Sequence, residues 1–208
     1  CIWGDELLAG RFVRLLLFFF FFYLIFINLC CIFGVEINTM VFKELSDKLK
    51  LKAISLGLCK EWTNGWGNPD KYELCEKYIR GIDFCLFNRF PSNEIIKKEF
   101  TGVREKFNIF VDDTNLFISN PKWSIFNGSC DCVVTFNDFG IGEMYVKDNS
   151  RVSLVALDNS IVHVSLIDDA KLDIVSSKYT RVFVYTNTPK NISKVDVKGK
   201  LMIKPFKL

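Results

Sequence analysis

The chain has 208 residues, room for one domain or two small ones. Hydrophobic residues make up 50% and charged residues 25%, a globular composition that excludes a disordered or low-complexity protein. The formal net charge of +3 is mild and no basic block stands out, so nucleic acid is not an expected partner.

Residues 15–35 (LLLFFFFFYLIFINLCCIFGV) carry no charge. At 1.5 Å per residue such a run crosses a hydrocarbon core of roughly 30 Å, and on that reading it is a single transmembrane helix. Arg11 and Arg14 precede it, and Lys43, Lys48, Lys50 and Lys52 follow it, so the charge rule leaves its orientation open. A second reading starts from Cys1 in place of a methionine, from Met40 as the first methionine, and from the run Phe18–Phe22, which translated T-rich upstream DNA would give. Residues 1–39 then fall outside the native protein. The first reading expects a membrane protein, the second a cytoplasmic one, and both share the same folded part.

Residues 40–110 read as a small helical subdomain. Leu45, Leu49, Ala53 and Leu56 form a helical stripe that Gly65 and Gly67 end. Asn68–Pro69 is a helix-start signal, and the expected second helix carries Tyr72, Cys75, Tyr78, Ile79, Ile82 and Cys85 on one face. Pro91 closes that stretch, and Ser92 opens a third helix through Ile95, Ile96, Phe100, Val103 and Phe107.

Residues 111–208 read as a repetitive β domain. From Arg151 the rows RVSLVALDNS, IVHVSLIDDA, KLDIVSSKYT and RVFVYTNTPK place an apolar residue at the second and fourth position each time. The first three rows close on a small polar cluster, and an earlier, looser row ends at Asp148-Asn149-Ser150. Alternation is a strand signal and Asx clusters are turn signals, so each row is a strand and a corner. A unit that cannot bury its apolar face alone stacks on its neighbours. Two constructions fit: a β-solenoid with one or two rows per coil, or an antiparallel meander. Identical corners favour the solenoid, capped at its first rung by the helical part. Lys194, Lys198, Lys200, Lys204 and Lys207 would then protect the open edge of the last rung. The expected fold class is thus α+β.

The helical part contains Cys59-Lys60-Glu61-Trp62, then Tyr78-Ile79-Arg80-Gly81-Ile82-Asp83-Phe84-Cys85, Pro91-Ser92 and Ile109-Phe110-Val111-Asp112-Asp113. Followed by ten-residue rows, this order resembles a group of uncharacterised proteins of gut Bacteroidales genomes and their phages or mobile elements. The resemblance covers about residues 52 to 190. It implies an origin and a domain order, and no activity.

Chemistry-bearing residues are few. The one histidine, His163, lies between Val162 and Val164 and is expected on the opposite face of its strand. The eight cysteines show neither a disulfide framework nor a C-x-x-C pair, so they read as buried or reduced thiols. Asp148, Asp158 and Asp168 recur every ten residues; stacked corners would bring them to roughly 5 Å, or twice that with two rows per coil, close enough to ask about Ca²⁺. Their place in turns makes corner formation the expected role, and neither a metal nor another cofactor is expected. Arg80, Asp83, Asp112 and Asp113 are the candidate interdomain or ligand contacts. Arg80 and Asp83, three apart, read as an ion pair docking helices on the first rungs. Trp62 and Trp66 flank the helix break and read as packing residues, with stacking on a sugar or base as the sharper alternative for both; Trp62 is also a candidate interdomain or ligand contact.

The expected function is therefore a non-catalytic structural or interaction module of a phage or mobile element, with an unidentified protein or glycan as partner. Two rivals remain: a carbohydrate-binding or carbohydrate-processing solenoid, which would need paired carboxylates beside a groove, and a module displayed from a membrane anchor.

Overall fold

A computed structural model describes residues 42–207. The expectation for residues 15–35 falls outside them; among the described residues no helix is long and apolar enough to cross a membrane. The described residues divide into two compact units at the Asn68–Pro69 junction, so the helices from Pro69 onward share a unit with the strands.

In the first unit, helix α1 spans residues 42–55 and buries Leu49 and Ala53 from the expected stripe. It ends before Gly57, whose φ of 93° suits glycine. A short helix α2, Lys60–Asn64, follows. Trp66 is buried and its indole Nε1–H donates to Ser46 Oγ at 3.2 Å, which ties the loop back onto α1.

The second unit opens with α3, Lys71–Arg80. Its N-cap is Asp70, one residue past the expected Asn68–Pro69 signal. The Asp70 carboxylate accepts the Glu73 N–H at 2.8 Å while Glu73 accepts the Asp70 N–H at 3.1 Å, a reciprocal box that Asn68 has no acidic partner to form. The expected single second helix is broken: Gly81 (φ −102°, ψ 29°) ends α3, and α4 runs Ile82–Asn88. Arg89 caps α4 in the left-handed conformation. Helix α5, Asn93–Phe100, starts at Ser92 as expected, with Ser92 Oγ accepting the Ile95 N–H at 3.4 Å. A 3-10 turn, Arg104–Phe107, leads into the first strand.

Eleven strands follow: β1 Ile109–Val111, β2 Thr114–Ser119, β3 Trp123–Asn127, β4 Asp131–Phe136, β5 Ile141–Val146, β6 Arg151–Ala156, β7 Ile161–Leu166, β8 Lys171–Ser176, β9 Arg181–Thr186, β10 Ile192–Val197 and β11 Lys200–Lys204. Odd-numbered strands form one six-stranded sheet (sheet A) and even-numbered strands a five-stranded one (sheet B), and every pairing is parallel. The meander is excluded and the fold is a parallel β-solenoid. From β4 to β9 partners are twenty residues apart, as in Asp131↔Arg151 and Ile161↔Arg181, so each coil holds two of the ten-residue rows.

The expected second and fourth positions point inward, and so does the sixth: Phe136, Val146, Ala156 and Leu166 are all at most 1% exposed. The sixth position escapes a simple apolar pattern because it also takes Ser176 and Thr186. Each fully buried Val, Leu or Ile contributes roughly 1.5–3 kcal/mol, and the inward columns form one continuous core. Gly142 is the exception among inward residues: a Cβ there would meet the Phe136 ring at 2.6 Å, so the large ring of β4 occupies the space the missing side chain leaves.

The corners explain the recurring aspartates. Asp138, Asp148, Asp158 and Asp168 have φ between 55° and 60°, a left-handed conformation that Asp tolerates better than most residues. Their carboxylates also bridge coils. Asp148 accepts the Gly128 N–H at 2.8 Å, Asp158 the Asp138 N–H at 2.9 Å, and Asp168 the Asp148 N–H at 3.4 Å. The tenth position is small because it is buried inside the bend: Ser150, Ser160 and Ala170 are 0% exposed. On the last coil Ile203 is 37% and Val195 64% exposed, and Lys194, Lys198, Lys200 and Lys204 lie in or between the same two strands.

Candidate interaction surface

Two edges run along the solenoid. Edge one carries the turns from sheet A to sheet B, with Asp112, Gly128, Asp148, Asp168 and Thr188 at like positions; edge two carries the turns from sheet B to sheet A, with Asp138, Asp158 and Lys178. The three aspartates considered for Ca²⁺ are thereby separated, because Asp158 lies on the opposite edge from Asp148 and Asp168. Among the described residues no group of three His, Cys, Asp or Glu is placed to hold a metal ion.

Helices α3–α5 attach along edge one through groups of opposite charge. Arg89 reaches Asp168 at 2.7 Å and Asp148 at 3.6 Å, clamping two successive coils. Asn93 Nδ2–H donates to Asp148 Oδ2 at 2.9 Å, and Lys97 pairs with Asp112 at 3.1 Å. Beneath them Tyr78 Oη donates to Asn127 Oδ1 at 3.5 Å, and Lys147, 6% exposed, lies 4.0 Å from Asp148. Burial pushes the thiols of Cys75 and Cys85 up to about 12, which leaves them protonated and unreactive at neutral pH.

Of the candidate site residues, Asp112 and Asp113 form the first corner of edge one. Asp112 is left-handed (φ 56°) and its Oδ1 accepts the Ser129 N–H at 3.0 Å, so it is the first of the corner aspartates. Asp113 receives the guanidinium of Arg104 through two bonds, 2.6 and 3.2 Å, and the Val111 N–H at 2.9 Å. Arg104, with 4% of its side chain exposed, also donates to Ile109 O at 3.0 Å. Burial would raise the Asp113 carboxyl, but the hydrogen bond and charge of Arg104 and the Val111 N–H outweigh it and hold the group below the usual carboxylate value. Arg80 and Asp83 are exposed, sit on two different helices across Gly81, and do not pair with each other among the ion pairs of the described residues. The break at Gly81 removes the helical spacing that would have joined them. Arg104 and Arg89 do the docking instead. Trp62 lies half-buried in α2, in the other unit.

Neither arginine was marked by sequence alone. Arg89 meets an aspartate 79 positions away. The one available signal is at Arg104, which is separated by a short turn from the doubled acid Asp112-Asp113.

The outward face of sheet A is the second notable surface. Register places Trp123, Glu143, His163, Phe183 and Met202 in one row across the strands, and Tyr145, Ser165, Tyr185 and Lys204 in the next, a row that begins at Ile125, itself covered and 1% exposed. His163 points outward as expected. Its ring stacks on Phe183 at 4.7 Å with 6° between planes, and on Tyr185 at 6.2 Å and 10°. Tyr145 Oη donates to Glu143 Oε2 at 3.1 Å, and burial with the nearby carboxylates of Glu143 and Asp83 pushes its phenol up. From Tyr145 and Trp123 to Met202, aromatic and apolar edges line a half-buried strip crossing five strands. On sheet B the corresponding row runs Phe117, Val133, Ser153, Asp173 and Ser193, apolar on its first two strands with Phe117 82% exposed and polar on the next three, where Arg151 pairs with Asp173 at 3.0 Å.

No family model, no curated protein and no solved structure matches the chain at a significant level.

Proposed function

We propose that the protein is a non-catalytic interaction module whose sheet A face binds an elongated protein segment lying across the strands, and that it belongs to a phage or mobile element, the origin its resemblance implies. The observation that carries this reading is the aromatic cluster His163, Phe183 and Tyr185, with Trp123 and Met202 in the row of the first two and Tyr145 in the row of Tyr185. Aromatic residues and methionine are the types that interfaces concentrate, and a rigid solenoid holds them at a fixed spacing of about 5 Å per rung. The recurring aspartates support the non-catalytic part of the reading, because their carboxylates are engaged as acceptors of corner N–H groups.

Ring orientation favours protein over glycan. A sugar stacks on an open aromatic face, whereas His163 and Phe183 turn their faces toward each other and present edges outward. Edges and the intervening grooves suit the side chains of a peptide.

The test is selection of peptides from a display library on the folded chain. Binders are expected whose affinity falls roughly tenfold or more in Phe183→Ala/Tyr185→Ala, and is unchanged in Phe117→Ala on sheet B. Peptides indifferent to Phe183→Ala/Tyr185→Ala, or a glycan bound in their place on a glycan array, would overturn the reading.

A further inference from the structure

The two edges of the solenoid differ in what covers them. On edge one the aspartates are half-buried under α4 and α5, with 16% and 27% of the Asp148 and Asp168 side chains exposed. On edge two the whole bend of the middle coil, Leu157 to Asn159, is exposed. This edge, uncovered among the described residues, also carries large apolar side chains: Phe139 is 79% exposed, Tyr179 67% and Ile141 64%. Phe139 and Tyr179 belong to corners two coils apart, with Asn159 at the corner between, so Phe139, Asn159 and Tyr179 stand one above another, as do Asp138, Asp158 and Lys178; Ile141 begins the strand after Phe139. At about 5 Å per rung the outer members of each column are about 10 Å apart.

Charge decides what such an edge fits. Read along the axis, the column is negative, negative, positive. Turned end for end about a two-fold axis through the middle rung, the same column sets Asp138 of one copy against Lys178 of the other, at both ends. The same rotation brings Phe139 against Tyr179, twice. An edge that is complementary to its own inverse is the requirement for an isologous contact. Lys178 takes part in no ion pair among the described residues and its Nζ lies 5.5 Å from the Tyr179 ring centre, beside the apolar group it would flank. The Asp138 carboxylate is exposed and accepts no side-chain partner among the described residues. The one unfavourable element is at the centre, where Asp158 faces its own copy.

We infer that this edge is a self-association surface, joining two copies of the chain antiparallel through Phe139, Tyr179, Asp138 and Lys178. Only four side chains per copy make the contact, fewer than the roughly 20–30 residues a side of a standard interface, so the dimer is weak and concentration-dependent. It uses a different surface from the sheet A face and stands or falls separately from it.

The experiment uses the full-length chain carrying Asn159→Cys, gently oxidised, digested and examined by mass spectrometry, with circular dichroism to check each variant's fold. Position 159 lies on the axis, so a disulfide linking position 159 of one chain to position 159 of another is expected. Adding Lys178→Asp makes the column uniformly negative and should reduce the cross-link roughly tenfold. The double exchange Asp138→Lys/Lys178→Asp restores an alternation complementary to its inverse and should restore the yield, and Asp158→Asn should raise it. Phe183→Ala/Tyr185→Ala should leave it unchanged. Absence of the 159–159 link, indifference to Lys178→Asp, or failure of the double exchange to rescue would each overturn the proposal and leave the edge to a different partner.

Discussion

Arg104 and Asp113 form the single most consequential polar pair. The guanidinium is almost wholly enclosed and donates to the Asp113 carboxylate and to Ile109 O, at the point where the helical segment turns into β1. Removing the acid strands a buried charge, which typically costs about 3 kcal/mol or more. Asp113→Ala is therefore expected to lower Tm by roughly 6–12 °C in thermal unfolding. The pH dependence has a definite sign. Asp113 titrates below its unfolded value, so its contribution is complete above about pH 4, and is lost as pH falls through the lower folded value. The stability gap between the parent chain and Asp113→Ala should stay constant from neutral pH to about 5 and narrow below about 4. A gap that widens on acidification would show that the pair does not act as described. Arg89 differs: 67% of its side chain is exposed, and its pairs contribute a modest, salt-sensitive amount.

Elements order themselves by how they are buried. The solenoid strands share one continuous core, whereas α3 and α4 rest on edge one through a few side chains. Cysteines report on both. Cys59 is exposed; Cys75 and Cys85 are buried on α3 and α4; Cys130 and Cys132 are buried at the corner and in β4. With alkylating agent and increasing urea, Cys59 should label at once, Cys75 and Cys85 next as the helices lift, and Cys130 and Cys132 only with global unfolding. Simultaneous labelling of all four buried thiols would mean that helices and coils unfold as one unit. Alternation and Asx corners were legible in the sequence because they repeat and because each has a local cause: inward side chains, and a left-handed bend that Asp accepts. The start of α5 at Ser92 was legible for the same reason. The α3/α4 break was not, since a glycine within a helical pattern is often tolerated and only tertiary packing decides. The docking residues were not legible either. Arg80 and Asp83 are close in sequence and form no ion pair with each other among the described residues, while Arg89 and Asp168 are far apart in sequence and do pair.

At the scale of the whole molecule, the decisive property is that two rows make one coil. A ten-residue period is equally compatible with one row per coil, and the sequence carries no mark that distinguishes the two. The difference governs everything on the surface. Two rows per coil put Asp148 and Asp158 on opposite edges, align His163 with Phe183, and stack Phe139 over Asn159 and Tyr179. The aromatic face, the helix-covered edge and the bare edge all follow from it. Residues twenty apart at a corner then lie one rung apart, about 5 Å between Cα atoms and within reach of a disulfide, while residues ten apart lie across the coil. The most direct measurement is intramolecular disulfide formation in two double variants, Asn149→Cys/Asp169→Cys and Asn149→Cys/Asn159→Cys. The two-row coil predicts that the first pair closes readily under mild oxidation and the second does not. Closure of the second pair, with the first remaining open, would contradict the coil and with it both proposed surfaces.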